Sequence, residues 1–420
     1  MERKRTPHGS RRQFLAAAAG AGTLAALGPA SRAVAATVGS SGELGLAELA
    51  SGTLAEQTLY ALPGKVPLIK KTFRPPNFET PVEYFRTPIT PNKAFFVRYH
   101  LAGIPQPMKA AAWSLSVGGD SAERSMKFSL AQLKKEFKPA KVTAVNQCSG
   151  NRRGLSEPHV QGVEWGVGAM GNAVWTGVRL KDVLAKAGVK SSALEVIFNG
   201  ADQGAIDKTP DFVKSLPVEK AMSDDVIIAF DMNGQPLPHW NGFPARLIVP
   251  GWTGTYWVKH LVDIRVSSTP EKNFWMSPAY RVPRGMFPTP TFKSQLYAAN
   301  EPITTMVVNS LITSLKSGER IARGKPIQVR GVAWDGGNGI AKVEVSGDSG
   351  ATWHAAKLGK DLGNYSFREF SIDLPTREDG GRVVMARATS RSGETQVEHL
   401  KFNGAGYHNN VIQRIYVEVA

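Results

Sequence analysis

The apolar positions of this 420-residue chain fall into two rhythms. Between residues 80 and 280, short apolar runs alternate with amphipathic segments. The runs at 142–145, 195–199, 226–230, 246–249 and 261–266 are rich in branched and aromatic residues and read as strands. Residues 130–137 have helical spacing, and Ser129 ahead of them offers a hydroxyl to the first free backbone N–H groups, which predicts a capped helix. A second helix is predicted at 178–187, stopped by Gly188. A proline-rich crossover covers 283–302, and after it the rhythm changes. Segments 327–334, 340–345, 366–374, 382–389 and 413–419 alternate apolar and polar positions, separated by turns such as Asp335-Gly336-Gly337-Asn338-Gly339. Short alternating strands at regular spacing predict an antiparallel β-sandwich. The expected organisation is a lead-in at 36–80, an α+β domain at 81–295 and a sandwich at 296–420.

The first 35 residues read as an address. Residues 2–12 are basic, Ser10-Arg11-Arg12-Gln13-Phe14-Leu15 is a twin-arginine pattern, and small apolar residues follow up to Ala30. Ala33-Val34-Ala35 is a small-x-small cleavage signal, so export to the periplasm with cleavage near Ala35 or Ala36 is expected. The run is too short and alanine-rich to span a membrane well, and later apolar stretches have strand length. Without this segment the chain keeps 45 Lys/Arg against 34 Asp/Glu, a net charge of +11. Such a surface steers anions inward. Basic runs interleaved with aromatics are absent, so a small anion or an acidic partner surface fits better than nucleic acid.

Cys148 is the only cysteine. A disulfide within the chain, a Cys-x-x-Cys-His haem attachment, an all-cysteine iron–sulfur cluster and a cysteine-rich zinc site are therefore excluded. Three readings stay open: a buried inert thiol, a nucleophile, or a single thiolate ligand to a metal. Arg152 and Arg153 put positive charge nearby, which suits the last two. Eight histidines are scattered rather than clustered, and the sequence contains neither a Gly-x-Ser-x-Gly elbow nor a His-Glu-x-x-His motif.

Four further segments place polar groups beside apolar strands. Arg98 and His100 fall on one side of an extended chain, where they can grip an anion. Asp202 sits in the loop Asn199-Gly200-Ala201-Asp202-Gln203-Gly204, where it can accept from a ligand's N–H groups. Residues 232–259 carry glycine turns together with Asn241, Arg246 and Lys259, groups able to hold a phosphate. Tyr280 precedes Arg281 on a loop and can donate to an oxyanion. Taken singly, each segment fits an ordinary turn, surface ion pair or packed side chain equally well.

In this order and spacing, the segments resemble the molybdenum-dependent sulfite oxidase family, nearer its bacterial sulfite dehydrogenases. The likeness runs from about Tyr84 onward. Phe96-Val97-Arg98-Tyr99-His100-Leu101, 147–153, 165–184, 232–246 and 250–261 carry it in the first domain. Ile340-Ala341-Lys342-Val343-Glu344-Val345-Ser346 with Asp348, Gly350 and Thr352-Trp353 matches the family's immunoglobulin-like, dimerisation-type domain. The resemblance implies a sulfite-oxidase-type molybdopterin domain followed by an immunoglobulin-like β-sandwich. It implies that Cys148 is the thiolate ligand of molybdenum, the other sulfur ligands coming from a pyranopterin dithiolene. Arg98, Arg153, Tyr280 and His100 match positions around the substrate oxyanion. Phe96, Arg98, Tyr99, His100, Asp202, Asn241, Arg246, Trp257, Val258 and Lys259 match cofactor-binding positions. One departure is Asn241, where animal members carry His. The implied activity is oxidation of sulfite to sulfate, with electrons passed singly to a separate c-type cytochrome and no haem or iron–sulfur cluster in this chain. The implied assembly is a homodimer or a heterodimer with that cytochrome. Competing expectations are a reductase of the same superfamily, acting on methionine sulfoxide or nitrate, and an exported binding module without metal.

Overall fold

A computed structural model describes residues 58–287 and 292–420, and the expected export signal and cleavage site lie outside the described residues. The lead-in holds regular structure. Leu59–Ala61, Pro67–Thr72 and Asn77–Glu79 form a four-stranded antiparallel sheet with Val97–Arg98. Asn77 pairs with Arg98, so this small sheet fixes the backbone from which Arg98 projects.

Two five-stranded sheets form most of the next segment. In the first, Val213–Pro217, Glu195–Gly200, Leu261–Ser267, Ser114–Gly118 and Met126–Ser129 lie in that order. Leu261–Ser267 runs parallel to Ser114–Gly118 and antiparallel to Glu195–Gly200. The second sheet takes Gln235–Pro236, Ile227–Met232, Met170–Arg179 and Pro139–Gln147, with Arg246–Ile248 also paired to Ile227–Met232. Trp165, Trp175, Phe198 and Trp257 are fully buried in the shared core.

The predicted helices are present. Leu130–Glu136 begins with a reciprocal cap: the Ser129 hydroxyl accepts from Gln132 N–H, and the Gln132 side chain accepts from Ser129 N–H. Leu180–Ala187 starts two residues later than the pattern predicts, because Val178 and Arg179 complete a ten-residue strand. Both are paired on that strand, Val178 with Pro139 and Arg179 with Ile227, and sheet pairing outweighs the helical spacing. Gly188 ends the helix at φ +76°, a conformation that costs glycine little. Among the described residues no helix is long and apolar enough to cross a membrane.

The second part is a two-sheet sandwich. One sheet orders Asn309–Ile312, Ile327–Trp334, Arg368–Leu374 and Lys357–Leu358. The other orders Glu319–Ile321, Gln413–Val419, Gly380–Ser390, Ile340–Ser346 and His354–Ala355. Val329 and Phe370 from the first sheet meet Val343, Val384 and Val417 from the second. The strands predicted at 327–334 and 413–419 appear at those bounds, and the one predicted at 366–374 starts at Arg368.

The two parts share a seam. Phe85, Val145 and Met170 pack with Leu311, Val332, Trp334 and Phe367. Trp334 Nε1 donates to Gln147 Oε1 at 2.7 Å, so the sandwich braces the strand that ends at Cys148.

Candidate active site

Strand pairing brings the polar loops to one place. Pro139–Gln147 runs antiparallel to Met170–Arg179, ending with Gln147 opposite Met170, and Cys148 emerges at that end. Its N–H donates to Ala169 O at 2.9 Å. The chain then turns tightly: Asn151 N–H donates to Cys148 O at 2.9 Å, and Arg152 sits at φ +68°. Leu261 pairs with Gly200, so Lys259, just before one strand, meets Asp202, just after the other. Gly200 permits this, since a Cβ there would lie 2.4 Å from Lys259 O and 2.7 Å from Asp202 Oδ1.

The resulting pocket, with the open space at its mouth included, encloses about 590 Å³ not filled by protein atoms. Phe95, Phe96, Arg98 and His100 form one wall, and Asn146, Cys148 and Ser149 another. Trp240, Asn241, Arg246, Gly254, Thr255, Trp257 and Lys259 close the far side, with Asp202, Phe212 and Tyr280 completing the lining.

Most of the residues expected at a site are brought together: Phe96, Arg98, His100, Cys148, Asp202, Asn241, Arg246, Trp257, Lys259 and Tyr280 all line the pocket. Three expected residues stand outside the lining. Tyr99 is buried behind the wall, its hydroxyl 2.7 Å from His260 Nε2. Val258 lies in the core. Arg153 stands beside the pocket rather than in its lining: its Nε donates to Ala405 O at 2.7 Å, and its guanidinium lies 5.3 Å from the Tyr407 ring, which stacks on Tyr280, near enough for its charge to act on the Tyr280 phenol.

Charge and polarity are unevenly placed. Arg98 Nη2 reaches the Tyr280 hydroxyl at 3.5 Å, and that hydroxyl also bonds His100 Nε2. Burial, with Arg98, Lys259 and Lys214 nearby, pushes His100 well below its ordinary value, so it is neutral. Burial raises Tyr280 above the ordinary phenol, opposed by Arg98, so the phenol keeps its proton. Burial pushes Lys259 down to about 7, with Asp202 opposing the shift and Arg246 and Arg98 adding to it. Asp202 is raised by its own burial, against the pull of Lys259. Arg246, lowered by burial to about 9, stays charged at neutral pH, its Nη1 and Nη2 donating to Asn241 O and Trp257 O at 3.0 and 3.1 Å.

Several participants escape a reading of sequence alone. Lys65, from the lead-in, is buried behind Asn241, donating to its Oδ1 at 2.6 Å. Lys214 is buried with its ammonium 4.9 Å from the Tyr280 ring. Tyr407, from the sandwich half, stacks on Tyr280 at a centroid distance of 5.6 Å. The polar, glycine-containing run Gly404-Ala405-Gly406-Tyr407-His408-Asn409-Asn410, interrupting alternating strands, is the one local signal that marks the last of these.

Comparison with known proteins gives this pocket a family. Residues 101–275 match the model of the oxidoreductase molybdopterin binding domain, and residues 300–420 match that of the Mo-co oxidoreductase dimerisation domain. The chain is 36% identical over 330 residues to human mitochondrial sulfite oxidase, covering 76% of this chain and 58% of that protein. It is 31% identical over 353 residues to the spinach NADH nitrate reductase, covering 79% of this chain and 38% of that enzyme. The crystal structure of the sulfane dehydrogenase SoxCD from Paracoccus pantotrophus superposes with a TM-score of 0.68 at 27% identity, covering 84% of this chain and 87% of that one. The chain belongs to the sulfite oxidase family of molybdenum enzymes. It spans 52% to 62% of the length of the sulfite oxidases it matches.

The pocket fits the cofactor that such a domain binds. Asn146 Oδ1, Ser149 Oγ, Arg246 Nε and Thr255 Oγ1 are buried, lie on residues of the lining, and have no protein partner. Buried polar atoms ordinarily find partners. A heterocycle rich in nitrogen and oxygen would supply them here, and Cys148 would offer one sulfur to a metal.

Proposed function

We propose that this protein oxidises sulfite to sulfate at a molybdenum–pyranopterin held by Cys148, and passes the electrons one at a time to a separate c-type cytochrome in the periplasm. The observation that carries the reading is the convergence of Arg98, His100 and Tyr280 on the pocket that contains Cys148. Overall, sulfite and water give sulfate, two protons and two electrons. The bound metal supplies the redox and oxygen-transfer chemistry. The chain supplies charge and orientation. Arg98 and Lys259 make the pocket positive, which attracts a small oxyanion and suits a fork of donors. Neutral His100 adds no competing charge, and its bond to Tyr280 holds the phenol against the Arg98 guanidinium. Phe95, Phe96 and Phe212 exclude water from that end, which strengthens each charged contact. Asp202, Asn241, Arg246, Trp257 and Lys259 would hold the remainder of the cofactor.

Metal analysis and turnover test this reading. Roughly one molybdenum per chain is expected, together with sulfite-dependent reduction of an added cytochrome c. Protein without molybdenum, or molybdenum-loaded protein inert to sulfite, overturns it. The similarity to nitrate reductase supports a second reading, reduction of an oxyanion at the same metal. Nitrate consumption by chemically reduced protein, without sulfite turnover, would favour it. A twin-arginine leader and the basic surface support the periplasmic assignment, and export abolished by Arg11→Lys with Arg12→Lys tests it.

A further inference from the structure

Lys65 is a buried lysine whose three donors are all taken by neutral oxygens. Its ammonium donates to Asn92 O at 2.7 Å, Phe95 O at 3.0 Å and Asn241 Oδ1 at 2.6 Å. An ammonium only donates, so the amide oxygen of Asn241 must face it, and the amide nitrogen must face away. That nitrogen donates one hydrogen to Phe96 O at 3.2 Å, which leaves a second N–H on a residue lining the pocket. Arg246 grips the same residue from its backbone side, through Asn241 O at 3.0 Å. Among the described residues, neither Lys65 nor Arg246 has a carboxylate within ion-pair distance. Arg246 and Lys65, the latter pushed down to about 7 by burial and by Arg246, therefore converge on one neutral amide at the pocket wall, and a buried positive charge without a counterion is costly unless a ligand supplies one.

We propose that Lys65 is a positioning residue for the cofactor: it locks Asn241 with its N–H toward the pocket and places a positive charge behind it, so that the pair acts as one cationic donor toward an anionic group, such as a phosphate, of the pyranopterin. The proposal rests on the molybdenum–pyranopterin reading above. It also answers the departure at Asn241, because the charge that this side chain lacks stands one hydrogen bond behind it. The lysine lies 176 positions away in sequence.

The test is cofactor retention rather than turnover. Molybdenum and released pterin are measured per chain after exhaustive dialysis, beside the thermal midpoint of the cofactor-free chain. Lys65→Met is expected to lose cofactor about ten- to a hundred-fold faster, the usual scale for one charged hydrogen bond. Asn241→Asp separates positioning from mere packing. It preserves the bond to Lys65, strengthened to an ion pair, but turns a carboxylate oxygen toward the pocket. A thermal midpoint at or above that of the parent with the cofactor lost supports the proposal, and undiminished cofactor in Asn241→Asp overturns it. Recovery of cofactor in the double variant Lys65→Met/Asn241→His, where the imidazole restores a cationic donor, supports it further. Full retention in Lys65→Met overturns this proposal while leaving the functional reading intact. A parent protein without molybdenum overturns both.

Discussion

The sandwich and the Cys148 pocket treat buried polarity in opposite ways. In the sandwich half, polar side chains close on one another. Ser310 donates to Gln396 Oε1 at 2.6 Å, Gln396 donates to Asn309 Oδ1 at 3.1 Å, and the Asp335 carboxylate accepts from Gly337, Asn338 and Gly339. Around Cys148, by contrast, Asn146 Oδ1, Ser149 Oγ, Thr255 Oγ1 and Arg246 Nε are left without protein partners. The polar network of the sandwich half is closed by its own atoms, although Arg368 Nε and both His408 ring nitrogens there also lack a partner, whereas the four atoms around Cys148 line a pocket with room for a group that is not protein. Stability and chemistry should therefore respond to mutation independently in the two regions.

The largest expected effect breaks the pocket while sparing the fold. Cys148→Ser removes the thiolate but leaves volume and backbone nearly unchanged. Molybdenum and sulfite turnover should both be lost, with the thermal midpoint of the cofactor-free chain preserved. Metal retained in that variant would end the ligand role of Cys148. The converse change is Phe370→Ala in the sandwich core, which should cost about 3–5 kcal/mol of unfolding free energy in a denaturant titration. Molybdenum per folded chain should stay as in the parent, and a proportional loss would mean that the two regions are not separable.

Arg98→Ala sharpens the comparison within the pocket. Its guanidinium is the cation beside Tyr280, and its removal should lower kcat/KM for sulfite by about one to three orders of magnitude. An unchanged specificity constant would take Arg98 out of substrate binding. The smallest effect is a pH dependence set by the imidazoles. Burial depresses His408 and His260 to about 3, so both are neutral in the folded chain. The unfolded chain protonates them near the ordinary value of 6.5, so their stabilisation is complete above that pH and is lost progressively as pH falls toward 3. His408→Leu should reduce the stability difference between pH 7 and pH 5 by on the order of 2 kcal/mol. An identical acid profile in the variant would show that His408 is not buried in neutral form.

The sequence was most readable where structure is local. Strands such as Ile327–Trp334 and Gln413–Val419 announce themselves because alternation is a property of neighbouring residues, and Ser129 announces its helix through a bond three residues away. Arg98, His100 and Tyr280 were legible only together with Cys148, through the order and spacing of their segments, since each segment alone fits an ordinary turn or packed side chain. Lys65, Lys214 and Tyr407 were not, because each matters only through a partner brought close by sheet assembly. Arg153 stands between the two cases, since it follows Cys148 closely in sequence yet is held by Ala405 O of the sandwich half, beside the Tyr407 ring that stacks on Tyr280. The helix start at Leu180 was displaced for the same reason, the pairing of Val178 being decided by a strand forty residues upstream.

The brace on the Cys148 loop has a consequence in time. Asn409 Nδ2 donates to Arg152 O across 257 positions, Arg153 is held by Ala405 O across 252, and His408 N–H donates to Ser149 O. While the chain is being synthesised, the loop cannot settle until residues 405–409 have left the ribosome. The pocket is thus completed only after the sandwich half has been made and has docked. A cofactor that needs the finished loop is captured only by molecules that have reached that stage.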